Sequence, residues 1–276
     1  MRDSAAPVTL FRPELVASDL DGTLLPPTLE IVSRTLAGVR RLRECAVPFA
    51  ICTGRMFRSA RRVAAQFELT EGLIVCYQGA LVADLGSGEW LQHVTIDPPL
   101  AAEVVRHARE IDIHVNAYVD DELHVEQDDL WARRYAEYAE VGMTVVDDLL
   151  AVVAAPPTKF VLCAEPQRVD VLLPELQALW RGRLYVTRSL PHYIEICNVA
   201  ATKSAALEFL CRRLGARRER TVACGDGLND LDMIAWAGLG VAMAEAAAVV
   251  REAAGLVVER EALGDLFCRL AEAPLS

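Results

Sequence analysis

Lysine is nearly absent from this 276-residue chain: of 28 basic residues, 26 are arginine and only Lys159 and Lys203 are lysine. A lysine kept against that bias marks a place where a compact ammonium is not equivalent to a planar guanidinium. Chance is the competing reading, and it applies more strongly to Lys159, which opens an apolar strand. Positive charge is scarce overall, since 39 acidic residues leave a formal net charge of −11. That balance argues against binding nucleic acid or an anionic membrane through the overall field. It also makes the chain a poor host for a phosphate ester unless a local site reverses the sign.

Paired cysteines are missing too. Cys45, Cys52, Cys76, Cys163, Cys197, Cys211, Cys224 and Cys268 include no CxxC spacing and mostly fall in apolar runs. Neither a zinc site nor a redox pair is indicated, and buried free thiols are expected. Met1 to Leu10 hold Arg2, Asp3, Ser4 and Pro7 and no apolar core of signal-peptide length. The charge-free stretch Met233 to Ala244 is too short for a membrane span and is interrupted by glycines. A soluble, cytoplasmic protein is expected. Internal repeats and low-complexity linkers are lacking as well.

What is present is a globular composition, 53% hydrophobic and 24% charged. The length fits one large α/β domain or a core carrying an insert. Glu14 to Ser18 reads as a short buried strand, and Leu29, Val32, Leu36, Val39 and Leu42 recur at helical spacing. Pro48 to Cys52 and Leu73 to Cys76 read as further strands around a second helix ending near Phe67. This rhythm predicts a doubly wound, mostly parallel sheet. Hairpin-like runs then appear at Leu91–Ile96, Ile113–Val119, Leu123–Val125, Lys159–Cys163, Leu184–Thr187 and Tyr193–Cys197. Helical runs accompany them at Trp131–Val141 and Val169–Trp180. Together these predict an α+β insert over 84–198, after which the first rhythm returns from Lys203, with strands at Thr221–Cys224, Gly240–Met243 and Leu256–Val258. The expected division is a discontinuous core of 12–83 plus 199–273 and the insert between them.

Asp19-Leu20-Asp21-Gly22-Thr23 follows a buried strand immediately. Residues i and i+2 of an extended chain point the same way, so both carboxylates can face one site above the strand end. Open α/β sheets bind ligands there. Two adjacent carboxylates repel, and a divalent cation is the usual remedy, with an ordinary turn as the alternative. Gly225-Asp226-Gly227-Leu228-Asn229-Asp230 has the same placement before a helix, where Asn229 or Asp230 also suits an N-cap. Asp19, Asp226 and a backbone carbonyl make a partial oxygen cage that suits Mg²⁺ better than zinc. Thr53-Gly54-Arg55 ends a strand and begins a helix, which favours either a bound phosphate or plain N-capping. Lys203 opens a helix against the macrodipole and supplies a second candidate phosphate contact.

In that order, DLDGT, TGR, a lone lysine after an insert, and GDGLND resemble the haloacid dehalogenase superfamily. The insert's position resembles the Cof-type, C2-capped branch (subfamily IIB), and the similarity spans about 12 to 272. The resemblance implies a Rossmann-like core, an α+β cap, and Mg²⁺-dependent hydrolysis of a small phosphorylated metabolite such as a sugar phosphate. Asp19 would form an aspartyl-phosphate and Asp21 would serve as acid and then base. Asp19, the Asp21 carbonyl and Asp226 would hold Mg²⁺, with Asp230 and Asn229 completing or orienting that shell. Thr53, the Gly54 amide and Lys203 would hold the phosphoryl group, with Arg55 in support. The presence of Asp21 argues against a dehalogenase. Gln78, Ser204 and Glu245 depart from the family's usual Asn, Gly and Asn, which bears on substrate contacts. From the insert, Arg188 and His192 could reach over the core site or be solvated loop residues. Alternatives are a phosphomutase or phosphotransferase on the same fold, or a silent ligand-binding relative.

Overall fold

The computed structural model describes residues 10–274 apart from 27 and 29. The expected apolar position Leu29 and the segment Met1 to Thr9 therefore lie outside the described residues. Strand β1 (Leu15–Ser18) leads through helix α1 (Ser33–Glu44) and β2 (Phe49–Cys52) into α2 (Phe57–Gln66). A meander follows, of β3 (Leu73–Cys76), β4 (Leu81–Asp84) and β5 (Trp90–His93). Next come α3 (Pro98–Glu110), the hairpin β6 (His114–Val119) and β7 (Glu122–Val125), α4 (Leu130–Ala139), β8 (Met143–Val145) and α5 (Leu149–Val152). Strand β9 (Lys159–Cys163) and α6 (Pro166–Leu179) precede a second hairpin, β10 (Leu184–Leu190) and β11 (Tyr193–Asn198). The remainder is α7 (Lys203–Leu214), β12 (Thr221–Gly225), α8 (Leu231–Trp236), β13 (Leu239–Met243), α9 (Ala248–Ala253), β14 (Leu256–Val258) and α10 (Leu263–Glu272).

The described residues pack into two compact units, one drawn from 10–51, 66–72 and 207–274, the other from 52–65 and 73–206. In the first, parallel strands stand in the order β14-β13-β12-β1-β2. Every residue of β1, β2, β12 and β13 is buried. Strands covered on both faces read as apolar runs rather than alternation, which is how the sequence shows them. From β1 the chain winds to β2 on one side, and from β12 to β13 and β14 on the other. The carboxyl ends of β1 and β12 thus flank a switch point, where open α/β sheets leave a crevice. Ser18 pairs with Cys224 there, and the Asp19 amide donates to the Cys224 carbonyl at 2.8 Å. Helix α1 packs on α10, and Phe49 meets Phe267 edge to face at 5.7 Å.

In the second unit β3, β4 and β5 pair antiparallel, and a six-stranded sheet runs β10-β11-β9-β6-β7-β8. One face of that sheet, with Val115, Phe160, Leu162, Ile194 and Ile196, joins Val104, Val169, Leu176 and Trp180 in a closed apolar core. The opposite face carries Asn116, Tyr118, Lys159 and Glu195, all buried as well. A mostly parallel α/β sheet and a second, largely antiparallel sheet thus match the expected fold class.

Helices α3 and α10 stand outside the elements expected from the sequence. Helix α3 starts on Pro98 and Pro99 and buries Ala101, Val104, Val105 and Ala108, a stripe at helical spacing made half of alanine. Strand β10 runs to Leu190 rather than Thr187, so Arg188 belongs to the strand and His192 to the turn after it. No helix among the described residues is long and apolar enough to cross a membrane.

Candidate active site

In the first unit, Asp19, Asp226 and Asp230 each offer an oxygen within 4.8 Å of the others. Asp19 and Asp230 are buried and Asp226 half-buried. Asp19 leaves β1 and Asp226 leaves β12, so the two carboxylates come from the strand ends that flank the switch point. Asp230 sits one short helical turn further on, and its carboxylate accepts from the Asp226 and Gly227 amides at 3.0 and 2.8 Å. Asn229 lies in the same turn, half-buried. Asp21 stands two residues past Asp19, half-buried, and its backbone bridges to Leu25. The loop between them is closed by the Gly22 amide on the Leu25 carbonyl and the Leu25 amide on the Leu20 carbonyl, both 2.8 Å.

Two residues that the sequence suggested only as turn formers prove specific. Thr23 is fully buried, and its hydroxyl donates to Asp226 Oδ1 at 2.6 Å. Gly22 has φ +95, and a Cβ there would lie 2.3 Å from Asp226 Oδ2. Only glycine fits on both counts. Arg260 donates to the Gly22 carbonyl at 3.0 Å and stands 3.6 Å from Glu245, so that acid reaches the loop through an arginine. The three-carboxylate donor set is all oxygen, which fits Mg²⁺ and does not favour a thiolate- or imidazole-preferring metal. Three carboxylates this close, two of them buried, also favour a cation on electrostatic grounds.

In the second unit the loop Thr53-Gly54-Arg55 follows β2. Thr53 is fully buried; its hydroxyl accepts from the Arg55 amide at 3.1 Å, and its carbonyl accepts from the Gln78 amide at 3.1 Å. Helix α2 begins at Phe57, and its N-terminus does not stand open to an external anion. The first amides of α2, at Phe57 and Arg58, are already taken by the Asp121 carboxylate, each at 2.9 Å. The protein supplies its own anion to that helix, leaving the loop residues 53–55 for any external one. Asp121, in the β6–β7 turn, also accepts from the Tyr77 hydroxyl at 2.6 Å. Burial raises its carboxyl above the ordinary aspartate range, although Tyr77, Arg58 and Phe57 pull the other way.

Lys203 is 1% exposed, at the first position of α7. Thr202 caps that helix by accepting from the Ala205 amide at 3.2 Å, and its hydroxyl lies 3.1 Å from that of Ser204. The Tyr77–Gly79 turn abuts this start so closely that a Cβ on Gly79 would lie 2.1 Å from the Thr202 carbonyl. Gln78 takes φ 59 in that turn and donates from Nε2 to Glu195 Oε2 at 3.1 Å. Arg188 is engaged by Asp170 at 2.6 Å and by the Pro191 carbonyl. His192 Nδ1 lies 3.1 Å from the Ala164 carbonyl, and its ring is 5.7 Å from that of Trp131.

Lys159 does more than open an apolar strand. It is buried, donates to the Gly54 carbonyl at 2.8 Å, and pairs with Glu195 at 3.3 Å. Burial pulls this ammonium down, but Glu195 and its neighbours outweigh that and hold its pKa above the ordinary lysine value. The findable signal was alternation. Lys159, Val161 and Cys163 share one face of β9, Tyr193, Glu195 and Cys197 the matching face of β11, and Lys159 is opposite Cys197.

A family model described as haloacid dehalogenase-like hydrolase matches residues 16–262. The chain is 30% identical over 247 residues to the 5-amino-6-(5-phospho-D-ribitylamino)uracil phosphatase of Bacillus subtilis, covering 88% of this chain and 91% of that one. It is 29% identical over 242 residues to the HMP-PP phosphatase of Serratia proteamaculans, covering 84% of each. A solved Thermotoga maritima structure superposes with TM-score 0.82 at 30% identity, over 97% of this chain and 99% of that one. The chain belongs to the haloacid dehalogenase-like hydrolase family, in its Cof-type branch, and with it to the phosphoric monoester hydrolases.

Proposed function

We propose that this enzyme is a Mg²⁺-dependent phosphatase acting on a small phosphorylated metabolite of the sugar-phosphate kind, in the cytoplasm. The observation that carries the reading is the cluster of Asp19, Asp226 and Asp230 at two adjacent strand ends, with Asp21 two residues beyond the first. The relative named for a phosphoribitylamino compound supports a phosphorylated sugar or polyol.

The Asp19 carboxylate attacks phosphorus, and the bond to the leaving oxygen breaks as Asp21 gives that oxygen its proton. Asp21, now a base, takes a proton from the water that attacks the aspartyl-phosphate, releasing inorganic phosphate and restoring both carboxyls. Thr53, the Gly54 amide and Lys203 hold the phosphoryl oxygens, with Arg55 in support. Asp19, the Asp21 carbonyl and Asp226 would hold Mg²⁺, with Asp230 and Asn229 completing or orienting that shell, and the bound ion would neutralise charge on the phosphoryl group. The chemistry is assigned to 12–83 with 199–273 and the choice of substrate to the insert 84–198, where Arg188 and His192 are candidate contacts.

A panel of phosphate esters, run with Mg²⁺ or EDTA beside Asp19→Asn, tests this. Release of inorganic phosphate that needs both metal and Asp19 is expected. Turnover of no ester, or an Asp19→Asn variant as active as the parent, refutes it. Product formed without inorganic phosphate would redirect the reading to phosphotransfer.

A further inference from the structure

A buried lysine is an expensive choice, because the ammonium gives up its hydration. Lys159 is 1% exposed and its Nζ has four neighbours: the Gly54 carbonyl at 2.8 Å, Glu195 Oε2 at 3.3 Å, and the ring centres of Tyr118 and Tyr77 at 5.3 and 5.6 Å. Buried ion pairs are poor sources of net stability, and neutral replacements of similar volume are often tolerated or stabilising. Stability is therefore a weak reason for keeping this one. The geometry supplies another.

We infer that Lys159 is a positioning residue for the loop Thr53-Gly54-Arg55, fixing its backbone through the Gly54 carbonyl, with Glu195 tying the same anchor to Gln78. The inference rests on the reading of that loop as the phosphate holder. A trans peptide points its N–H opposite to its carbonyl, so clamping the oxygen aims the amide. The Thr53 carbonyl is clamped by the Gln78 amide at 3.1 Å, which aims the Gly54 N–H. The Gly54 carbonyl is clamped by Lys159, which aims the Arg55 N–H onto the Thr53 hydroxyl at 3.1 Å. Because that hydroxyl accepts from Arg55, its own proton points elsewhere and stays available to an incoming oxygen. Glu195 Oε2 accepts from both Lys159 and Gln78, so the two clamps share one carboxylate.

The paired variant Lys159→Met/Glu195→Gln removes both charges while leaving an acceptor for Gln78. It is expected to melt within about 3 °C of the parent. Its Arg55 amide should exchange at least about tenfold faster, and kcat/KM should fall by about 10²-fold, with a matching rise in the inhibition constant of inorganic phosphate. Parental exchange at Arg55 with kcat/KM within about threefold would overturn the inference. A measurement on the unmodified chain stands beside it, in case the variant fails to fold. With only two lysines in the sequence, the ¹⁵N ammonium spectrum contains only Lys159 and Lys203 side chains, and both should shift when inorganic phosphate is added with Mg²⁺. Movement of Lys203 without Lys159 refutes the positioning role. If neither moves and no ester is turned over, the phosphatase reading falls instead, while the Arg55 exchange rate still decides whether Lys159 holds the loop.

Discussion

Asp19→Asn should make the metal-free protein more stable while abolishing its turnover. Two neighbouring carboxylates lie within 4.8 Å of Asp19. At that spacing a pair of unit charges repels by about 3.5 kcal/mol at an effective dielectric of 20, and by about 0.9 kcal/mol in water. Asp19 is buried and Asp226 half-buried, so the pairwise repulsion falls between those limits. Thr23 and two backbone amides already offset part of the charge on Asp226 and Asp230. Neutralising Asp19 should therefore relieve about 2 kcal/mol or more, the lower end of two partly screened pairs.

The assay is thermal unfolding of parent and variant, each in EDTA and in excess Mg²⁺. For a chain of this size about 2 kcal/mol corresponds to a rise of roughly 4–8 °C in EDTA. In Mg²⁺ the order should close or reverse, because the parent gains more from a cation that its three carboxylates bind together. A variant no more stable than the parent in EDTA, or one stabilised equally by Mg²⁺, refutes the electrostatic argument for a metal at this cluster.

Thr23→Val, which keeps the shape and loses the hydroxyl on Asp226, should weaken Mg²⁺ binding about tenfold in a calorimetric titration; unchanged affinity would mean Asp226 is held by its backbone alone. Gly22→Ala forces a side chain into a left-handed φ against Asp226, and should cost about 1–3 kcal/mol in urea unfolding as well as activity. For Asp121, burial raises the folded pKa above the ordinary 3.8, so its contribution to stability is fully present below that value and is lost as pH rises through the folded pKa. The melting-temperature advantage of the parent over Asp121→Asn should therefore shrink from pH 3.5 to pH 7; an advantage that is constant or grows contradicts the assignment.

The acidic cluster of the first unit was legible because its motifs are local. DLDGT and GDGLND each put acids directly after a run of buried residues, and a parallel sheet makes the ends of such runs into a site. What joins the two motifs was not legible, because the Thr23–Asp226 hydrogen bond spans 203 positions and depends on β1 lying beside β12. The same limit hid Lys159 and Glu195. Each looks like a stray charge in an apolar strand until β9 and β11 are paired in register. Asp121 was hidden differently: it lies between the hairpin-like runs Ile113–Val119 and Leu123–Val125, but a turn does not announce which helix it caps. Helix α3 was passed over because a stripe half made of alanine gives a weak periodic signal.

The scarcity of lysine gains physical content from where the two lysines lie. Both are 1% exposed, whereas arginines such as Arg212 sit on the surface in pairs like Arg212–Glu208, whose side chains are 64% and 58% exposed. An exposed cation is interchangeable, since water and a flexible stem accommodate either head group. A buried one is not. The ammonium is compact and directs three donors from a point, while the guanidinium is planar and larger and needs acceptors on its edges. Lys203 is such a buried cation, at the first position of α7, where the Gly79 turn is pressed against the Thr202 carbonyl beside it. Lys203→Arg should therefore lower kcat/KM by at least about tenfold, as loss of a positioned contact to the phosphoryl group does. Arg212→Lys, the opposite exchange on the same helix, should stay within about 0.5 kcal/mol of the parent in stability and leave turnover unchanged. If both exchanges are silent, the lysine bias reflects composition alone, and a guanidinium serves at the start of α7 as well as an ammonium does.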